Sequence, residues 1–203
     1  YYLTGRGVKF QTYDVHNIYG REIISADGRR MSFDKLVIAA GAWAHHLSKI
    51  LGDPCPLESE RGYNTTLCNP GICLTRMVTF AQDHFVATPM SMGLRIGGAV
   101  EFAGLDAPPD FKRAKTLLLL AKKYLPDLQI EGGTQWMGHR PSTPDSLPVI
   151  GRATRYDNVI YAFGHGHLGL TGSATTGRIV AEIICEKVSN LDLEPYRIAR
   201  FSE

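Results

Sequence analysis

Two stretches of this sequence could do chemistry. Arg140 stands in GHRPSTPDSLPVIG, and His165 and His167 stand in FGHGHLGLTG. A guanidinium is always charged, and its planar fork matches a carboxylate through two parallel hydrogen bonds. Pro141, Pro144 and Pro148 predict a stiff loop that holds the Arg140 fork in place. The second stretch spaces Gly164, Gly166 and Gly169 as G-x-G-x-x-G, the spacing of a dinucleotide-binding loop. A pyrophosphate site of that kind needs a further parallel strand tipped by an acidic residue about 20 positions on. Glu186 has the spacing, but it closes a helical segment, and VSNLDLEPY after it is not an apolar strand. The pyrophosphate reading fails on that context. What survives is a strand end where glycines let a flat ligand approach the backbone, followed by a helix start of small residues, Gly172, Ser173 and Ala174. The free N–H groups and positive dipole end of that helix favour negative charge. The alternative is a tightly packed joint with no ligand. His165 and His167 face opposite ways if the segment is extended, and without a third ligand nearby they predict no metal site.

The elements that must carry these residues follow from the patterning. YYLTGRG reads as a helix end with a glycine stop, so the natural chain is expected to start earlier. VKFQTYDV, REIISA and RMSFD, with a turn at Asp27–Gly28, predict an antiparallel meander. KLVIAAGAW is an uninterrupted apolar run, which predicts a strand buried on both faces in a parallel sheet. AWAHHLSKILG predicts a short helix after it, with Trp43 packing that helix onto the sheet. From Asp53 the pattern changes to extended antiparallel segments. One helix is expected there after Asp110, with an apolar stripe of Leu117, Leu120, Ala121 and Tyr124. NVIYAFG returns to the buried-strand type. The last helix is expected from about Ser173 to Lys187, with Ile179, Val180, Ile183 and Ile184 on one face. The expected fold class is α/β with an α+β insert: 1–52, then 53–137, then 138–203.

Composition narrows the function classes. Of 203 residues, 44% are apolar and 21% are charged, which suits a packed globular core. The net charge of +2 carries no basic face, so nucleic acid is not an expected partner. Lys112, Arg113, Lys115, Lys122 and Lys123 read as the wet side of one amphipathic helix. No apolar run is long enough for a membrane span, and Tyr1 begins no secretory leader. Cys55, Cys68, Cys73 and Cys185 lack C-x-x-C spacing and are expected to be reduced and structural.

FDKLVIAAGAWA, GHRPSTPDSLPVIG and NVIYAFGHGHLGLTGSATTGRIVAEI together resemble the FAD-dependent D-amino-acid oxidase and dehydrogenase (DAO) family, and within it most the bacterial D-amino-acid dehydrogenases. The resemblance is to the C-terminal portion of that family. The family's own N-terminal βαβ unit for FAD has no counterpart here, so activity is expected of the whole protein rather than of these residues alone. It implies part of a glutathione-reductase-like FAD/NAD(P)-binding domain, with an inserted antiparallel substrate domain. It implies oxidative deamination of a D-amino acid: a hydride passes from the substrate Cα to flavin N5, the product is an imino acid, and the electrons go to a quinone or another carrier rather than oxygen. The alternatives are a glycine- or sarcosine-type oxidase using O2, and a non-catalytic subunit of the same fold.

By the same resemblance Arg140 clamps the substrate carboxylate and His167 faces substrate or flavin. Gly164, His165, Gly166, Leu168, Gly169, Leu170 and Thr171 line the flavin ring, Val15 meets the adenine through its backbone, and Ala40 and Gly41 lie against the cofactor. Tyr63, His84 and Met90 are unranked pocket candidates. WMGHRPSTPD has no cysteine where sarcosine oxidases attach flavin, so non-covalent FAD is expected. The expected location is the cytoplasm or the inner face of the inner membrane. The sequence does not give the oligomeric state.

Overall fold

The computed structural model describes residues 2–202. After a 3-10 turn at Thr4–Arg6, closed by Gly7 at φ 86°, the chain has no regular structure until Val15. The expected strand from Val8 is therefore absent, and the meander is shorter: β1 Val15–Tyr19, β2 Glu22–Ser25 and β3 Arg30–Ser32, antiparallel in that order. β4 (Leu36–Ile38) then pairs in parallel with β11 (Val159–Phe163), and β11 also pairs antiparallel with β10 (Val149–Arg152). This makes a three-stranded sheet of order β10-β11-β4. Central β11 is buried along almost its whole length, as its apolar run predicts. β4 is a sheet edge with Val37 exposed, so it is not buried on both faces. Apolar content alone does not distinguish a central strand from an edge.

Between these strands lies the antiparallel part. β5 (Glu58–Leu67), β6 (Val78–Phe80), β7 (Phe85–Met90), β8 (Gly93–Phe102) and β9 (Thr134–Ser142) form a sheet of order β6-β7-β8-β5-β9. Residues 138–142, expected in the last α/β segment, lie in β9, so this strand runs through the expected 137/138 boundary. The expected proline-stiffened loop around Arg140 is a strand for the same reason. β9 is an edge strand, where the missing N–H of Pro141 is tolerated.

α2 (Lys112–Tyr124) covers one face of this sheet. The Asp110 carboxylate accepts from the Lys112 amide at 3.1 Å, in keeping with a helix start after Asp110. Its buried stripe is Ala114, Leu117, Leu118 and Ala121, rotated from the expected one, while Leu120 and Tyr124 are only partly covered. The basic residues on its other side are exposed, as expected.

Two clusters form the core. Ile38, Leu51, Val149, Val159, Tyr161 and Phe163 belong to the first, around the parallel pair. Leu67, Phe85, Ile96, Leu117 and Leu128 belong to the second, under α2. The short helix α1 (Ala44–Ile50) follows a 3-10 turn after β4, and α3 (Ser173–Ile184) follows β11 and ends three residues before the expected Lys187. Trp43 is 52% exposed and does not pin α1 to the sheet. Its ring meets His139 of β9 edge-on at 5.3 Å. Cys55 packs against the first core cluster, where burial pushes its thiol up to about 11, whereas Cys68, Cys73 and Cys185 are exposed and hold no core together. Among the described residues no helix is long and apolar enough to cross a membrane, and no group of three or more His, Cys, Asp or Glu could hold a metal ion.

Candidate active site

The site is built where the parallel sheet meets the edge of the antiparallel one. β4 and β11 are in parallel register, Leu36 opposite Val159 and Ile38 opposite Tyr161. Both strands therefore end on the same side, and the loops after them, at Ala40–Gly41 and Gly164–Gly166, emerge together. Gly41 (φ 55°), Gly164 (φ 80°) and Gly166 (φ 50°) all adopt backbone that a side chain disfavours. A Cβ on Gly164 would lie 3.1 Å from the Thr143 methyl, so the residue type also keeps that approach open.

The segment after Gly164 is not extended. Gly166–Leu168 form a 3-10 turn, which separates the two histidines by burial rather than by strand alternation. His165 is half-buried with Nε2 3.0 Å from Thr176 Oγ1, and burial holds its pKa below the usual imidazole value. His167 is exposed and points to Glu60 of β5, Nε2 to Oε1 2.6 Å.

Gly164, His165, Gly166, His167 and Leu168 line a cavity of about 530 Å³ together with Glu58, Glu60, Phe102, Ser142 and Thr143. Gly169, Leu170 and Thr171 form the turn before α3 and lie outside it; Leu170 is 90% exposed. Val15, Ala40 and Trp43 share a second cleft of about 500 Å³ with Asp14, His46 and Leu47. Tyr63 is buried with its hydroxyl donating to Glu101 at 2.5 Å, His84 sits in the β6–β7 turn, and Met90 ends β7; none of the three lines the glycine-walled cavity.

Arg140 stands directly across from Glu60 in the β5–β9 ladder. Its guanidinium lies over Gly62, so that a Cβ there would fall 2.1 Å from Nη2. Glycine at position 62 is what lets the fork lie down on the sheet. Nη1 is 3.6 Å from Glu60 Oε1, is buried, and makes no hydrogen bond. A buried guanidinium N–H without an acceptor is costly unless a ligand supplies one.

Glu60 is the residue that sequence reasoning missed. It accepts from His167 and from Ser142 Oγ at 3.0 Å and faces Arg140. Burial pushes its carboxyl upward, but the hydrogen bonds from His167 and Ser142 and the Arg140 charge outweigh that, and its pKa is held below the usual value. In LESERGY its alternation with Gly62 was legible. Nothing local distinguished it from Glu58, which also lines the cavity but pairs with neither Arg140 nor His167. Together the groups make one fixed cation beside a glycine-walled cavity, with a carboxylate that orients an imidazole. That arrangement can hold a small carboxylic acid against a flat ligand.

Comparison with known proteins identifies the family. The family described as FAD dependent oxidoreductase (DAO) matches residues 2–183. A D-amino-acid oxidase of Bradyrhizobium diazoefficiens is 42% identical over 172 residues, 83% of this chain and 41% of that protein. The glycine oxidase of Geobacillus kaustophilus superposes with a TM-score of 0.80 at 24% identity, over 94% of this chain and 52% of its own. The L-proline dehydrogenase of P. horikoshii superposes with a TM-score of 0.74, also at 24% identity, over 96% and 54%. The chain thus spans between about two-fifths and a little over half of the length of these relatives.

Proposed function

The chain belongs to the DAO family of FAD-dependent oxidoreductases, and from that premise we propose that the protein oxidises a D-amino acid at Cα, with non-covalent FAD as cofactor and a carrier other than oxygen as final acceptor. FAD, when bound, supplies the acceptor for the hydride that leaves Cα. The residues present suit such a group: glycine backbone at Gly164 and Gly166 opens the cavity to a flat ring, Val15 and Ala40 offer the second cleft to another part of the same cofactor, and Gly41 follows Ala40 in the turn after β4. Gly169, Leu170 and Thr171 serve by carrying the chain from that cavity into α3. We assign the flavin-binding part to 1–52 and to the segment after β9, and the substrate part to the chain from 53 through β9; the two core clusters support a division of this kind, with Leu57 at the start of the substrate part packing into the first.

The observation that carries the reading is the Arg140 guanidinium laid over Gly62 with an unpartnered Nη1. Arg140 binds the substrate carboxylate, which fixes Cα without a covalent step. Glu60 keeps the Arg140 fork oriented, and its carboxylate accepts a hydrogen bond from His167 Nε2–H. The Nδ1 atom of a neutral His167 then stays free to accept the proton that a substrate ammonium must lose before its amine can assist hydride departure.

The test uses the full-length, FAD-loaded protein, mixed without oxygen with D-amino acids and N-methyl amino acids. Bleaching of the yellow flavin by D-amino acids, with slow return of colour in air, is expected. Rapid return in air would favour an oxidase, the activity named for the Bradyrhizobium relative. No bleaching by any substrate would defeat the enzymatic reading. Arg140→Ala is expected to raise KM for carboxylate-bearing substrates about a hundredfold, in line with loss of a bidentate charged pair. An unchanged KM removes Arg140 from the site.

A further inference from the structure

Taking Arg140 as the carboxylate clamp, we propose that the same sheet face carries a second anion subsite at Arg95, and that the preferred substrate is an amino acid with an acidic group at the end of its side chain. The register between β5 and β9 is unbroken from Glu58↔Ser142 to Thr66↔Thr134. Strand alternation therefore puts Glu60, Gly62, Asn64 and Thr66 on one face, with Arg140, Gly138, Trp136 and Thr134 beside them.

Arg95 of β8 pairs with Thr66, and its Nε donates to Thr66 Oγ1 at 3.2 Å. It has no carboxylate partner among the described residues. Asn64, Thr66, Met92, Arg95, Thr134 and Trp136 line a cavity of about 410 Å³ there. Asn64 Oδ1, between the two arginines, is buried without a hydrogen-bond partner. The Trp136 ring lies over Gly138, where a Cβ would fall 2.0 Å from it, so the indole flanks the path between the two guanidinium groups.

The spacing selects the ligand. The Arg140 guanidinium rests on Gly62 and that of Arg95 is tied to Thr66, four residues farther along β5, or roughly 13 Å at about 3.3 Å per residue. An ion pair at each end takes about 4 Å, leaving about 5 Å between two carboxyl carbons. That is the reach of a five-carbon dicarboxylate. The electrostatics agree: Glu60 partly offsets Arg140, while the charge of Arg95 is left to a ligand.

Calorimetric binding to the full-length, FAD-loaded protein tests this with glutarate, which has two carboxylates, and pentanoate, of the same length with one. Glutarate is expected to bind at least tenfold tighter, since a charged hydrogen-bonded pair is typically worth about tenfold to a hundredfold. Arg95→Leu should erase that difference and leave pentanoate within about twofold of its original affinity. Arg95→Lys should restore part of it. Equal affinity of the two acids for the unaltered protein, with pentanoate binding lost in Arg140→Ala, overturns the Arg95 subsite and leaves the Arg140 clamp standing. No binding of either acid removes the clamp, and the subsite that rests on it falls as well. The comparison on the unaltered protein needs no variant to fold.

Discussion

At the scale of single residues the site depends on how charges are held. Arg140 is fixed by what it lies on rather than by many bonds: Gly62 beneath, Glu60 at 3.6 Å. Gly62→Ala is therefore expected to push the guanidinium off the sheet and raise substrate KM at least tenfold. Stability should change little, because a flexible side-chain end can yield to a new methyl. Substrate kinetics and a thermal melt on the same variant check both halves.

Histidine protonation makes a second prediction. Burial lowers the pKa of His165, and burial followed by the Arg61 charge lowers that of His139. Below the usual imidazole value of about 6.5 the unfolded chain takes up more protons than the folded one. Stability contributed by neutral His165 and His139 is thus present at pH 7 and lost as pH falls from about 6.5 toward their lower folded values. Melting temperature is expected to drop between pH 7.5 and 5.5, and His165→Gln should flatten that slope. An unchanged slope would show that His165 titrates alike in both states.

At the scale of elements, the edge position of β9 explains why a segment with prolines still delivers Arg140, Gly138 and Trp136 to one face. α2 is the buttress behind that sheet. Leu117 is buried against Phe85, Ile96 and Leu128 in the second core cluster. Leu117→Ala is expected to destabilise by roughly 2–5 kcal/mol, as other buried leucines do. Denaturant titration measures it, and a loss under about 1 kcal/mol would show that α2 does not brace the sheet. Much of this level was legible. The helix start near Asp110, the wet basic face and the buried run of β11 follow from composition and period. The rotation of the α2 stripe and the exposure of Val37 were not, because each depends on which neighbour lies alongside.

At the scale of the whole molecule, Asp53 ties the end of α1 to the β10–β11 hairpin. It is buried, and it accepts from the Thr154 amide at 3.0 Å, from Thr154 Oγ1, and from Tyr161 OH at 2.9 Å. Burial first, then this carboxylate, push the Tyr161 hydroxyl well above its usual pKa, so it remains a donor throughout the physiological range. Asp53→Ala would leave the buried Tyr161 hydroxyl without its acceptor and free the more exposed amide and hydroxyl of Thr154, and is expected to cost about 1–3 kcal/mol. Denaturant titration of the full-length protein checks it. The staple joins residues 101 apart or more, and no short-range pattern signals it.

The sequence by itself determined the ligand-facing vocabulary: glycines at 164 and 166 that open a backbone, an arginine at 140 that cannot lose its charge, and strand and helix periods on either side. These are local properties, fixed by φ preferences, side-chain chemistry and spacing. Only the tertiary structure decided that Glu60 stands between Arg140 and His167, and that Arg95 shares their sheet face. Those neighbours come from strands far apart in the chain. Their meeting depends on ladder register, which set the whole face at once and left no mark on any one segment.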